Sequence, residues 1–121
     1  MGLDMYAYVT QQQISAVDFD QPEDALQICY WRKHPNLHGW MLELYRVKGG
    51  KDDSFNLAPL RLDGADIDAL EIAINADKLP ETTGFFLGVT RPEEKPRDLE
   101  FIRLARHAIR NGKRVYYCAW W

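Results

Sequence analysis

Cysteine is scarce in this chain: Cys29 and Cys118 are the only two among 121 residues. Both lie inside apolar segments, the setting of small buried hydrophobes, and two thiols are too few for a disulfide framework or a zinc knuckle. Long apolar runs are missing as well, none approaching the roughly 20 residues of a membrane span. The opening residues lack the basic and then apolar pattern of a secretory signal, so the expected compartment is the cytoplasm. Gly2 is followed by Tyr6 where a myristoylation signal wants Ser or Thr. Charge of one sign is lacking too. The formal net charge of −3 offers no overall attraction to nucleic acid or to an anionic membrane. There is no internal repeat, no low-complexity tract, no lysine-bearing phosphate loop, no Gly-x-Ser-x-Gly elbow and no nucleophile beside an adjacent base.

What is present is an ordinary globular composition, 46% hydrophobic and 27% charged. At this length it implies one domain, residues 1–121, able to bury most of its apolar surface. Residues 3–10 alternate Leu3, Met5, Ala7 and Val9 against Asp4, Tyr6, Tyr8 and Thr10, a strand with one apolar face. Residues 14–19 suggest a short second strand, and residues 25–31 another. Pro35 suits a first helical turn and disfavours helical geometry at His34, so a helix is expected from Pro35 to the Gly49-Gly50 stop.

Residues 55–62 read as an extended edge segment holding Pro59. Asp63 is a good N-cap for a helix over Ile67, Leu70 and Ile74 that ends near Ala76. Residues 84–89 read as a buried strand bracketed by glycines. Asp98 can open a third helix with Leu99, Ile102, Ala105 and Ile109 inward, closed by Asn111-Gly112. Residues 114–121 form a terminal strand. The sum is an α+β domain: a twisted, mostly antiparallel sheet of about five strands with about three helices.

The densest chemistry lies in residues 30–40, with Tyr30, Trp31, Arg32, Lys33, His34, Asn36, His38 and Trp40. Flat rings can stack on a base or sugar, while Arg32 and Lys33 near a helix start can meet an anion. Equally, both tryptophans can be core with the two cations snorkelling from a strand end. His34 and His38 are four apart, a spacing that resembles half of a metal site, but the glutamate of the zinc-protease pattern is missing and no third ligand is evident. His34 is expected to cap the helix and His38 to bond across a pocket. Asp4 is placed to orient a histidine. Thr83, in the run Thr82-Thr83-Gly84, implies close backbone approach to a neighbour or ligand. Arg103, Arg106, His107 and Arg110 make a basic stripe that dipole and i, i+4 pairing explain as a solvated face.

Three blocks carry a resemblance: residues 1–6 (Met-Gly-Leu-Asp-Met-Tyr), Tyr30-Trp31-Arg32-Lys33 with His38-x-Trp40, and Leu79-Pro80 with residues 83–88 (Thr-Gly-Phe-Phe-Leu-Gly). Together they resemble an uncharacterised family of small bacterial and phage proteins, some of which bear the label phosphoglycerate kinase. That label does not suit this chain, which is too short for a two-lobed kinase and has no nucleotide loop. At His34-Pro35 the chain departs from the family, which has a small residue followed by Asn.

The resemblance implies a phage or prophage setting and a small accessory role. The expected function is non-catalytic binding of a nucleotide or other phosphorylated ligand at Asp4, Tyr30, Trp31, Arg32, Lys33, Asn36, His38, Trp40 and Thr83, with no cofactor. In a phage this would sequester a host signalling nucleotide. Two alternatives stand beside it: a module that modulates a host protein, and a metal-dependent hydrolase using His34 and His38. Apolar segments near both termini suit a homodimer, though no heptad or other pairing code is present.

Overall fold

The computed structural model describes residues 2–84 and 87–121. Its elements run β1 (Asp4–Thr10), β2 (Leu26–Arg32), α1 (Pro35–Val47), β3 (Leu60–Leu62), α2 (Gly64–Asn75), α3 (Glu94–Arg110) and β4 (Arg114–Trp120). The alternation in β1 is realised as read: Met5, Ala7 and Val9 are buried, whereas Asp4, Tyr6 and Tyr8 are half-buried on the opposite face. The sheet order is β2-β1-β4-β3 and every pairing is antiparallel. A register shift between Ala7 and Tyr8 marks an irregularity in the β1–β2 ladder.

One sheet face packs with the apolar stripes of the helices, Leu37, Met41 and Tyr45 from α1, Ile67, Leu70 and Ile74 from α2, and Phe101, Ile102 and Ala105 from α3. The other face holds a smaller cluster of Ile14, Tyr116 and Cys118, with Tyr8, Phe19 and Ala25 against it. Thr10 donates to Asp24, and the Gln11 amide donates to the same carboxylate at 2.9 Å, closing the 11–25 connection over that face. α2 begins with a reciprocal cap, in which the Asp63 side chain accepts from the Asp66 amide while the Asp66 carboxylate accepts from the Asp63 amide. No helix among the described residues is long and apolar enough to cross a membrane.

Among the described residues the sheet has four strands where about five were expected. Residues 14–19 contribute only a single bridge, Val17 to Leu60. In residues 55–62 the backbone turns left-handed at Phe55 (φ 49°) and Leu57 (φ 59°), which shortens the strand to β3. Of the strand expected over 84–89, Phe85 and Phe86 lie outside the described residues. The Leu87 amide donates to the Gly84 carbonyl at 3.2 Å.

α3 starts a full turn before Asp98. Pro96 falls in its first turn, where a missing N–H costs nothing, so the proline does not delay the helix. The buried stripe is then Asp98, Phe101, Ile102, Ala105 and Ala108, with Leu99 and Ile109 at its edges. On the outer side Arg103 pairs with Glu100 at 2.5 Å, while Arg106 crosses to α2 and meets Asp68 at 2.8 Å and Glu71 at 3.0 Å. Two members of the basic stripe are thus ion-paired.

Candidate functional site

β2 ends at Arg32, and the chain then turns sharply. Lys33 adopts a left-handed φ of 55°, a conformation few side-chain-bearing residues take. Its amide donates to the Leu3 carbonyl at 2.8 Å. Its stem runs between two glycines of positive φ. A Cβ on Gly88 would come within 2.7 Å of Lys33 Cβ, and one on Gly2 within 2.9 Å of Lys33 Cε. Only glycine fits at these approaches, so the packing holds the lysine stem in place.

His34 follows as the residue that flanks α1, with φ −112° and ψ 73° and no capping bond from its side chain. The cap comes instead from Thr90, whose Oγ1 accepts from the Asn36 amide at 3.0 Å. The same hydroxyl lies 2.9 Å from His34 Nδ1. On the far side of the ring, Nε2 is 2.9 Å from Asp98 Oδ2 and 3.2 Å from Oδ1. Trp31 Nε1 donates to Asp98 Oδ1 at 3.0 Å. His34 and Asp98 are 1% and 2% exposed, so a buried carboxylate is matched by two ring N–H groups rather than by water. A hydroxyl, an imidazole and a carboxylate stand in one hydrogen-bonded line.

A cavity of about 290 Å³ opens beside this line, walled by His34, Asn36, Leu79, Thr90, Arg91, Glu94, Lys95 and Asp98 among others. A second, of about 310 Å³, is lined by Arg32, Lys33, Arg91 and Glu94. Arg91 and Glu94 belong to both, so the two spaces adjoin. Each is near the lower end of the range for small-molecule sites, about 300 Å³ upward.

The expected ligand-binding residues are divided among several places. Arg32 and Lys33 line the second cavity, and Asn36 lines the first. Asn36 Oδ1 also accepts from the Thr82 amide at 3.0 Å. Asp4 and Tyr30 lie on the open sheet face, where the Tyr30 hydroxyl donates to Asp4 at 2.5 Å and Arg32 donates to the same oxygen at 2.9 Å. The bond to Asp4, then burial, pushes the Tyr30 phenol above its usual range. Thr83 is exposed; its neighbour Thr82 is the one packed against α1, at Gly39.

Trp31 is wholly enclosed, edge-on to Phe101 at 5.1 Å, and presents no face to a cavity. Trp40 is half-buried against the core. Among the described residues no Phe, Tyr or Trp lines either cavity. His38 is 3% exposed, stacked on Phe55 and sharing a 2.7 Å hydrogen bond with Tyr117. Burial lowers its pKa to about 4, so it is neutral at physiological pH. His34 flanks α1 and its carbonyl accepts from the His38 amide at 3.3 Å; its ring nitrogens meet Thr90 and Asp98, whereas His38 Nδ1 meets Tyr117.

Sequence reasoning missed Thr90, Arg91, Glu94 and Asp98. Asp98 had a signal, being an acid at helical spacing with Phe101, Ile102 and Ala105, where a charge demands a partner. Thr90 and Arg91 sit in a loop and carry none. The cysteines offer no nucleophile, since burial pushes the thiols of Cys29 and Cys118 up to about 11. Comparison of the chain with known protein families, curated proteins and solved structures gives no match.

Proposed function

We propose that this chain is a small binding protein for an anionic small molecule, a nucleotide or other phosphorylated compound, seated across the two adjoining cavities. The observation that carries the reading is the convergence of Arg32, Lys33 and Arg91, from two separate segments, on one cleft with Glu94 as the single acid. Arg32 is ion-paired with Asp4 at 2.9 Å, and Lys33 and Arg91 against Glu94 give the cleft its excess of positive charge among the described residues, a counter-charge for an anion. Arg32 is oriented by Asp4, and Lys33 by the glycines on either side of it, so the cleft is built before a ligand arrives. The remainder of the ligand would extend into the space beside His34, Asn36 and Thr90. The enclosed Trp31 leaves recognition to charge and hydrogen bonds rather than to stacking. In the phage setting implied by the sequence resemblance, the ligand would be a host signalling nucleotide.

Thermal-shift screening of nucleoside mono-, di- and triphosphates, cyclic dinucleotides and inorganic phosphate tests this. A ligand at about 100 times its Kd adds about 2.7 kcal/mol, a rise of several degrees. The double variant Lys33→Gln with Arg91→Gln should abolish the rise. An absence of any shift across the panel, or a shift that survives the double variant, refutes the reading.

A further inference from the structure

The hydrogen-bonded line accounts for His34, Asp98 and Thr90 but leaves Glu94 unexplained. Glu94 Oε2 is buried and accepts no hydrogen bond among the described residues; its nearest cation, Arg97 Nε, is 3.9 Å away. A buried carboxylate oxygen without a donor is costly, and it stands where it has neighbours of one particular kind. One ligand atom each from His34, Glu94 and Asp98 all lie within 4.8 Å of one another.

From this geometry we infer that His34, Glu94 and Asp98 form a binding site for a divalent first-row transition metal ion, with Mn²⁺ and Zn²⁺ as the natural occupants. Two neighbouring ligands at about 2.1 Å from an ion stand about 3.0 Å apart at the right angle of octahedral Mn²⁺ and about 3.4 Å apart at the tetrahedral angle of Zn²⁺. His34 Nε2 and Asp98 Oδ2, at 2.9 Å, already have the octahedral separation, and Zn²⁺ would need a small opening of the pair. One imidazole with two carboxylates favours Mn²⁺ or Zn²⁺ over Ca²⁺ and Mg²⁺, which take oxygen alone.

The surrounding contacts are those a metal site needs. With the ion on Nε2, the proton moves to Nδ1 and is donated to Thr90 Oγ1, 2.9 Å away, which fixes the tautomer. Trp31 Nε1 holds Asp98 Oδ1, which leaves Oδ2 for the ion. The remaining coordination positions face the 290 Å³ cavity, open to water or to a ligand oxygen. Arg91 and Lys95 in the same wall oppose a cation, but Lys95 is drawn to Asp77 at 3.2 Å. The site stands without the anion reading, although Glu94 lines both cavities.

Chelator-treated protein titrated with Mn²⁺, followed by loss of the free-ion electron paramagnetic resonance signal, tests the site. Saturation at one ion per chain is expected, with Zn²⁺ binding more tightly by calorimetry. Glu94→Gln should weaken both ions at least tenfold. Without metal it should melt no lower than the parent, because it removes a charge whose buried oxygen lacks a donor and gives up only a pair with the exposed Arg97. Thr90→Val should weaken binding by about 10- to 100-fold. Failure of Mn²⁺ to saturate at millimolar concentration overturns the site. So does Zn²⁺ binding equally to Glu94→Gln, which would show that Glu94 is not a ligand. Both readouts are independent of the phosphorylated-ligand screen, so either proposal can fail alone.

Discussion

Replacing His38 with Gln should remove much of the acid sensitivity of folding between pH 7 and 4.5. The imidazole is 3% exposed, packed parallel to Phe55 at 5.1 Å and edge-on to Trp121 at 4.9 Å, and bonded to Tyr117. Burial disfavours its charged form and lowers its pKa to about 4, against an ordinary 6.5. Below 6.5 the unfolded chain binds a proton that the folded chain refuses until about pH 4. Stability from this group is therefore complete above pH 6.5 and is lost as the pH falls toward 4. The difference of about 2.5 pH units, at about 1.4 kcal/mol each, corresponds to about 3.5 kcal/mol, most of it gone by pH 4.5. Glutamine keeps an acceptor for the Tyr117 hydroxyl but cannot titrate.

Urea unfolding of both proteins at pH 7.5, 6, 5 and 4.5 gives the comparison, and carboxylates common to both cancel in the difference. The stability gap between parent and variant should narrow by about 2–3 kcal/mol over this range. Parallel pH profiles, or a His38 ring proton titrating near pH 6.5 by NMR, would refute the argument.

Two further substitutions probe how the elements around the site are held. Gly39→Ala would place a methyl 1.9 Å from Thr82 Oγ1, and should cost about 1–3 kcal/mol by chemical denaturation. Thr82→Ala in the same chain should recover part of that loss, whereas strict additivity of the two changes would show that the contact does not govern the cost. Asp63→Ala removes the reciprocal cap of α2 and should cost about 1 kcal/mol, lowering the melting temperature by about 4 °C. An unchanged melt would mean that the start of α2 is held by packing alone.

The parts of the fold that were legible are those with a strong local code. The period-two alternation of β1, the Pro35 start of α1 and the Asp63 cap of α2 depend on neighbours within a turn or two, so propensity and pattern suffice. The start of α3 was misplaced because Asp98 resembles an N-cap and Pro96 resembles a stop, yet a proline in a first turn is harmless. The left-handed residues Phe55 and Leu57 defeated the strand reading, since nothing in their side chains favours that backbone. At the site, residues 30–36 were found through their density of polar and aromatic groups. Their partners lie 54 to 67 residues further along the chain, at Thr90 and Asp98. Only the docking of residues 90–98 at the junction of β2 and α1 reveals them. Trp31 shows the opposite error: an indole that looked available is consumed as a core donor to Asp98.

The strand order has a kinetic consequence. β1 and β4 are the two central strands, and their ladder joins Asp4 to Trp120, closing a loop of more than a hundred residues. The β1–β2 pair and the α2–α3 pair can each form over shorter spans. Drawing β4 into the middle is the entropically demanding event, and it makes this a fold of high contact order that assembles slowly for its size. His34 follows β2 and Asp98 lies in the helix that leads into β4, so their contact closes a second loop, of 64 residues, and the site too is assembled across the chain rather than locally.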